Sequence, residues 1–215
     1  MKILFISLGC DKNLADSEEM LGLLTGNGHE IVDSEEEADA IVINTCCFIH
    51  DAKEESVNTI LEMAEYKKTG TCKILIVTGC MAQRYKEEIT EEIPEVDAVL
   101  GTTSYGDIVK ALNEAEAGHV FREFKDINAL PEDSGRRVIT TGGHFGYLKI
   151  AEGCDKHCTY CIIPSLRGKF RSVPEERLLK QAEYMASQGV RELILVAQET
   201  TVYGTDLYGK KTLHI

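Results

Sequence analysis

Three apolar runs, each leading into a cysteine, constrain the fold of this chain more than any other feature. Residues 2–8 (KILFISL) run into Gly9-Cys10, residues 40–44 (AIVIN) into Thr45-Cys46, and residues 73–78 (KILIVT) into Gly79-Cys80. Short runs rich in Ile, Leu and Val are the pattern of strands buried on both faces, as in parallel sheets. Helical patterns separate them. After Cys10, Leu14, Leu21 and Leu24 share one face, Asp16, Glu18 and Glu19 lie in the early turns, and Gly26-Asn27-Gly28 stops the helix. A short strand at 30–32, a helix over 52–68, a strand at 96–100 and a helix over 105–117 complete the alternation. It predicts an α/β fold, a doubly wound parallel sheet whose crevice lies outside the carboxyl ends of the strands.

That crevice is where Cys10, Cys46 and Cys80 fall, in three successive strand-to-helix turns. Neighbouring strands lie about 4.8 Å apart, so the three sulfurs can converge within the span of a cubane 4Fe-4S cluster. Any one of them alone could be an ordinary buried cysteine, packed as a small hydrophobe. The equivalent placement of all three favours a ligand set. Cys47 and Cys72 lack that placement and read as free thiols, although Cys47 competes with Cys46 as a ligand.

Past residue 118 both periods fade and Pro131, Gly135, Gly142 and Gly143 accumulate, so the chain divides into a domain over 1–118, a linker over 119–143 and a second domain over 144–215. A strand at 145–151 delivers the chain to a loop holding Cys154, Cys158 and Cys161. Three thiolates spaced C-x3-C-x2-C can hold three irons of a second 4Fe-4S cubane and leave the fourth iron open. The alternatives are a zinc knuckle completed by His157, or plain reduced thiols; zinc sites usually come as full sets of four built on C-x2-C pairs. Arg167, Lys169 and Arg171 flank this loop, either solvated or against an anionic ligand. Ser172-Val173-Pro174-Glu175 has the form of a capping box opening a helix to about residue 188. A strand at 191–197 and the polar turn Gln198-Glu199-Thr200-Thr201 follow. Two strands and one helix begin a (β/α) barrel and do not complete it.

No run of about 18 apolar residues is present to span a membrane, and the apolar start of the chain is too short for a secretory signal. A cytoplasmic, reducing location follows, in which a count of eight cysteines points to metal ligation rather than to disulfides. The net charge of -13 is uneven: residues 1–118 hold nine Lys and Arg against 24 Asp and Glu, residues 119–215 hold 14 against 12. A single cluster such as Glu35-Glu36-Glu37 reads as a solvated face, but a first domain of net charge -15 repels nucleic acid and steers toward a basic partner.

Together these residues resemble the radical S-adenosylmethionine methylthiotransferases, and among them the branch that modifies small-subunit ribosomal protein twelve. The resemblance rests on Leu8-Gly9-Cys10-Asp11-Lys12-Asn13 with Asp16-Ser17-Glu18, on Asn44-Thr45-Cys46, and on Gly79-Cys80-Met81-Ala82-Gln83-Arg84-Tyr85. It extends through Cys154, Cys158, Tyr160 and Cys161, Ile163-Pro164, Arg167-Gly168 and Gln198-Glu199-Thr200-Thr201-Val202-Tyr203-Gly204. It implies a radical-SAM partial barrel after the first domain. It also implies one 4Fe-4S cluster on Cys154, Cys158 and Cys161 that binds S-adenosyl-L-methionine, with Tyr160 near the adenine, and a second cluster on Cys10, Cys46 and Cys80 that carries sulfur. The implied reaction puts a methylthio group on the β-carbon of an aspartate in a basic ribosomal protein, with an electron donor of flavodoxin or ferredoxin type and no direct RNA binding by this segment. Family members continue through further barrel strands and a C-terminal β domain, whereas this chain ends at Leu213-His214-Ile215, where a second barrel helix is expected. Two other readings remain: the branch that modifies transfer RNA, and a non-catalytic iron-sulfur protein.

Overall fold

A computed structural model describes residues 1–214. The chain runs β1 (Lys2–Ser7), α1 (Asp11–Gly26), β2 (Glu30–Val32), β3 (Ala40–Thr45), α2 (His50–Thr69) and β4 (Ile74–Gly79). It continues through α3 (Cys80–Arg84), α4 (Lys86–Glu92), β5 (Ala98–Leu100), α5 (Ile108–Glu116) and β6 (Phe121–Glu123). The second part holds β7 (Phe145–Lys149), β8 (Ala151–Glu152), α6 (Ile163–Arg167), β9 (Arg171–Ser172), α7 (Glu175–Ser187), β10 (Glu192–Val196) and α8 (Thr205–Tyr208).

Six strands form one sheet in the order β2-β1-β3-β4-β5-β6, every pair parallel. Period-two alternation gives the sheet two apolar faces. Ile41, Ile43, Leu75 and Val77 pack with Ile60 and Met63 of α2 and Ile89 of α4, while Val42, Ile74 and Ile76 pack with Met20 and Leu24 of α1 and Ile108 and Leu112 of α5. Helices cover both faces, as the unbroken apolar runs require. The strand order reverses between β1 and β3, and that switch point, at the carboxyl ends, opens the crevice.

In the second part β7 pairs parallel with β10, with α7 crossing between them. This is one βαβ unit of a barrel wall. The expected strand over 145–151 breaks at Ile150: its amide donates to Val196 O at 3.0 Å, and β8 then pairs antiparallel with β9.

Three further differences have local causes. Phe121–Glu123, inside the stretch expected to be linker, forms the sixth strand beside β5, and three residues are too few to show a period. The helices α3 and α4 follow Gly79 where no helix is expected; they are short, and α4 buries Ile89 alone among acidic residues. Ser172 does not cap α7, whose N-cap is Pro174; its hydroxyl donates to Asp206 Oδ1 at 2.6 Å and accepts from Gly204 N.

Candidate functional site

The turns after β1, β3 and β4 meet at one edge. Gly9 has φ +95°, and a Cβ there would lie 2.7 Å from the Cys46 Cβ and 3.0 Å from its sulfur. Gly79 also has φ +95°, and a Cβ there would lie 2.3 Å from Asn44 Oδ1. Only glycine fits either place. Side chains from the middle strand and from the start of α1 brace these turns. The Thr45 hydroxyl donates to Thr78 O at 2.5 Å, the Asn13 amide donates to Leu8 O and Thr45 O, each at 3.0 Å, and the Asn44 amide donates to Asn13 O at 2.9 Å.

Cys10, Cys46 and Cys80 consequently line one cleft of about 550 Å³. Cys10 is exposed at its mouth, while Cys46 and Cys80 are each 7% exposed on its floor. Burial pushes the Cys80 thiol above its usual range, with the Arg167 guanidinium opposing the effect. Cys47 is buried in the core near Cys80 and Arg84, where burial raises its thiol to about 11. Cys72 donates to Ile74 O at 3.3 Å. Across the cleft from the three turns stand Ile163 and Leu166 of α6, Leu195 and Ala197, and the polar Gln198 and Thr200.

The 153–161 loop lies beside this wall. Cys154 is buried, its amide donating to Gly168 O at 3.1 Å; Cys158 is exposed and Cys161 half-buried, with the Cys161 amide on Cys158 O at 3.0 Å. Asp155 accepts from Phe170 N at 3.1 Å, and Lys156 pairs with Glu199, which ties the loop to the turn after β10. Cys154 also lines a separate pocket of about 500 Å³ with Asp155, His157 and Lys169. Tyr160 is 87% exposed and lines neither space.

Between the two triads lies a layer of buried charge. Lys12, Asp16 and Glu19 form a stripe along α1 that faces the second part instead of solvent. Lys12 Nζ donates to Ala151 O and Gln198 Oε1, each at 2.7 Å, and lies 3.3 Å from Glu152. Lys149 pairs with Asp16 and, at 2.9 Å, with Glu152. Arg167 donates to Asp16 Oδ2 at 2.7 Å and Asn13 Oδ1 at 2.6 Å. Glu18 accepts from Arg137 Nε at 2.7 Å and from the Thr140 amide at 2.7 Å, which fastens residues 137–140 along α1.

Burial governs these ionisations. It lowers Lys12 to about 8, with Glu152 opposing, and it raises the Glu19 carboxyl above the usual range. Burial would also raise Glu152 and lower Lys149, but the surrounding opposite charges outweigh it: Lys12, Lys149 and Arg167 hold Glu152 low, and Asp16 and Glu152 hold Lys149 high.

Of the basic stretch after the Cys-rich loop, Lys169 is exposed, whereas the two arginines turn inward. Arg167 is 3% exposed and spends its guanidinium on protein partners, and Arg171 folds back to donate to Arg167 O at 3.1 Å. Sequence reasoning left this network out because charged residues early in a helix ordinarily face water. The signal was Lys149, a lysine inside the apolar run FGYLKIA, since a buried ammonium requires a carboxylate partner.

All eight cysteines are free. Among the described residues no three His, Cys, Asp or Glu side chains gather tightly enough for a single ion. Ligands of a cubane bind separate irons and stand farther apart than ligands of one ion. Cys10, Cys46 and Cys80, gathered on one open cleft, have the donor chemistry such a cluster requires; of the loop set, Cys154 is buried and lines the neighbouring pocket, Cys161 is half-buried and Cys158 exposed.

Residues 2–101 match the model of uncharacterized protein family UPF0004, and residues 148–214 match the radical SAM superfamily. The ribosomal protein uS12 methylthiotransferase RimO of Lachnoclostridium phytofermentans is 66% identical over 99% of this chain and 48% of its own length. Its namesakes in Clostridioides difficile and Acetivibrio thermocellus are 52% and 51% identical over the same shares. The chain spans about half the length of these curated relatives. With both family models in this order and 51–66% identity along nearly its whole length, the chain is homologous to about half of these methylthiotransferases.

Proposed function

We propose that this chain provides the cluster-bearing part of an enzyme that puts a methylthio group on the β-carbon of an aspartate in small-subunit ribosomal protein twelve. The observation that carries the reading is the convergence of Cys10, Cys46 and Cys80 on one cleft whose far wall is built by the segment that follows the Cys154 loop. Cys10, Cys46 and Cys80 would hold one 4Fe-4S cluster, Cys154, Cys158 and Cys161 the other, and Tyr160 would lie against the adenosyl group of S-adenosylmethionine. When bound, these groups supply a radical able to remove an unactivated β-hydrogen, which no side-chain base does at useful rates, and a methylated sulfur to replace it.

The chain's own part is to position and exclude. The glycine turns fix the sulfurs, Leu195 and Ala197 keep one wall apolar, and Phe48 and Ile49, 51% and 56% exposed, add an apolar rim. A first domain of net charge -15 favours a basic ribosomal protein over transfer RNA and supports the protein-modifying branch. A ribosomal protein substrate and a low-potential electron donor together imply the cytoplasm. Consistent with that, no helix among the described residues is long and apolar enough to cross a membrane.

A second reading is supported by β10, where Leu193, Ile194 and Leu195 remain 36–43% exposed beside the only strand it pairs with among the described residues. With the barrel wall this open, the isolated chain carries clusters and does not turn over. The test is anaerobic incubation of the reconstituted full chain with S-adenosylmethionine, a reductant and either ribosomal protein twelve or transfer RNA. Mass gain of a methylthio group on the protein supports the first reading. Gain on RNA overturns the choice of substrate, and intact clusters with neither product favour the second.

A further inference from the structure

Arg167 lies only six residues after Cys161, yet its guanidinium is buried against the other triad. One arm donates to Asp16 at 2.7 Å and the other to Asn13 Oδ1 at 2.6 Å. Asn13 Oδ1 also accepts from the Cys80 thiol, at 3.8 Å, and the amide nitrogen of the same side chain holds the carbonyls of Leu8 and Thr45, which precede Cys10 and Cys46. A single side chain, Asn13, thus touches the supports of all three turn cysteines, and Arg167 fixes its orientation. Since Asn13 donates through its nitrogen to two carbonyls, its oxygen must face the guanidinium. Arg167 also lines the same cleft as Cys10, Cys46 and Cys80.

We propose that Arg167 is a positioning residue for the N-terminal triad: through Asn13 it sets the geometry of Cys10, Cys46 and Cys80, and its charge, shared with Asp16, offsets the negative charge of a cluster held there. The inference rests on the reading that this triad binds a 4Fe-4S cluster. The physical basis is general. Cluster potentials follow net charge, hydrogen bonding near the sulfurs and solvent exposure, and a cation in a buried site acts over several ångströms with little screening. The groups around a ligand tune a metal site as its ligands do. Docking of the second part onto α1 would then be sensed by the first cluster, because the tuning cation comes from across the interface.

The test uses the full chain with Cys154, Cys158 and Cys161 changed to Ala, so that one cluster remains, reconstituted anaerobically and titrated by electron paramagnetic resonance against a set of mediators. Arg167→Gln should shift the reduction potential to a more negative value, Arg167→Lys should restore it toward the parent, and Asp16→Asn, which leaves the guanidinium less neutralised, should shift it to a more positive value. Should the Gln variant fail to fold, the direction of the Asp16→Asn shift decides alone. Opposite shifts support the proposal, since a role confined to packing would not reverse sign with charge. Unchanged potentials, or shifts of one sign, overturn it. Absence of iron from the parent variant would instead refute the cluster reading on which the proposal stands.

Discussion

Arg137→Met tests whether buried charge holds the stretch after β6 to the first domain. Arg137 and Glu18 are 8% and 0% exposed, and Glu18 accepts from the guanidinium at 2.7 Å and from the Thr140 amide and hydroxyl at 2.7 and 2.8 Å. Removing the cation leaves a carboxylate in the interior with hydrogen bonds but no counter-charge, and breaking a buried pair from one side costs about 3–5 kcal/mol. The neighbouring Arg136 is an internal control. It is exposed and reaches only the carbonyl of Gly26, so Arg136→Met should cost below about 1 kcal/mol, as for an exposed hydrogen bond. Adding Glu18→Gln to Arg137→Met should recover much of the loss, because deleting both charges of a buried pair is often near neutral. Urea unfolding of the apo chain under reducing conditions, with Glu18→Gln alone added to complete the double-mutant cycle, reads each of these losses. A loss near that of Arg136→Met, or no recovery in the double variant, would refute the claim that this ion pair is desolvated and fastens residues 137–140.

Three other outcomes follow from the same geometry. Gly9→Ala and Gly79→Ala force a side chain into φ +95° and into contact with Cys46 or Asn44, so each should cost about 1–3 kcal/mol and reduce iron bound by the turn cysteines, as read by denaturation and iron analysis. Burial raises the Glu19 carboxyl above 4.5, so its stabilising contribution is full below pH 4.5 and is lost as pH rises through the folded value; Glu19→Gln should remove that decline, and parallel stability curves for the two proteins between pH 4 and 8 would count against it. Binding to a basic ribosomal protein should weaken steeply with salt, because charges on the acidic first domain are screened beyond about 10 Å at 0.1 M; calorimetry at two ionic strengths checks it.

Five of the six strands of the large sheet were legible because each announces itself without help from distant residues, whereas Phe121–Glu123 is too short to do so. Residues 30–32 and 40–44 need only their own Ile and Val content, and the glycine or threonine before each turn cysteine marks where the strand stops. The family resemblance was equally local, carried by motifs of a few residues. The interface was not, because Asp16, Glu18 and Glu19 look like any solvated helix start until Lys149, Arg137 and Arg167 arrive from more than a hundred residues away. Ser172 failed as a cap for the same reason, its hydroxyl taken by Asp206 of α8. Long-range polar pairing leaves no period in a sequence. Its only trace is a charge where the surrounding pattern demands burial, as at Lys149.

Iron and acid-labile sulfide per chain, measured after anaerobic reconstitution, test the central claim most directly. Parallel samples carry Ala at Cys10, Cys46 and Cys80, or at Cys154, Cys158 and Cys161. The account predicts about eight irons in the unmodified chain and about half in either triple variant. About four irons, lost with one triad and unaffected by the other, would contradict it and leave the second set as cysteines of the core.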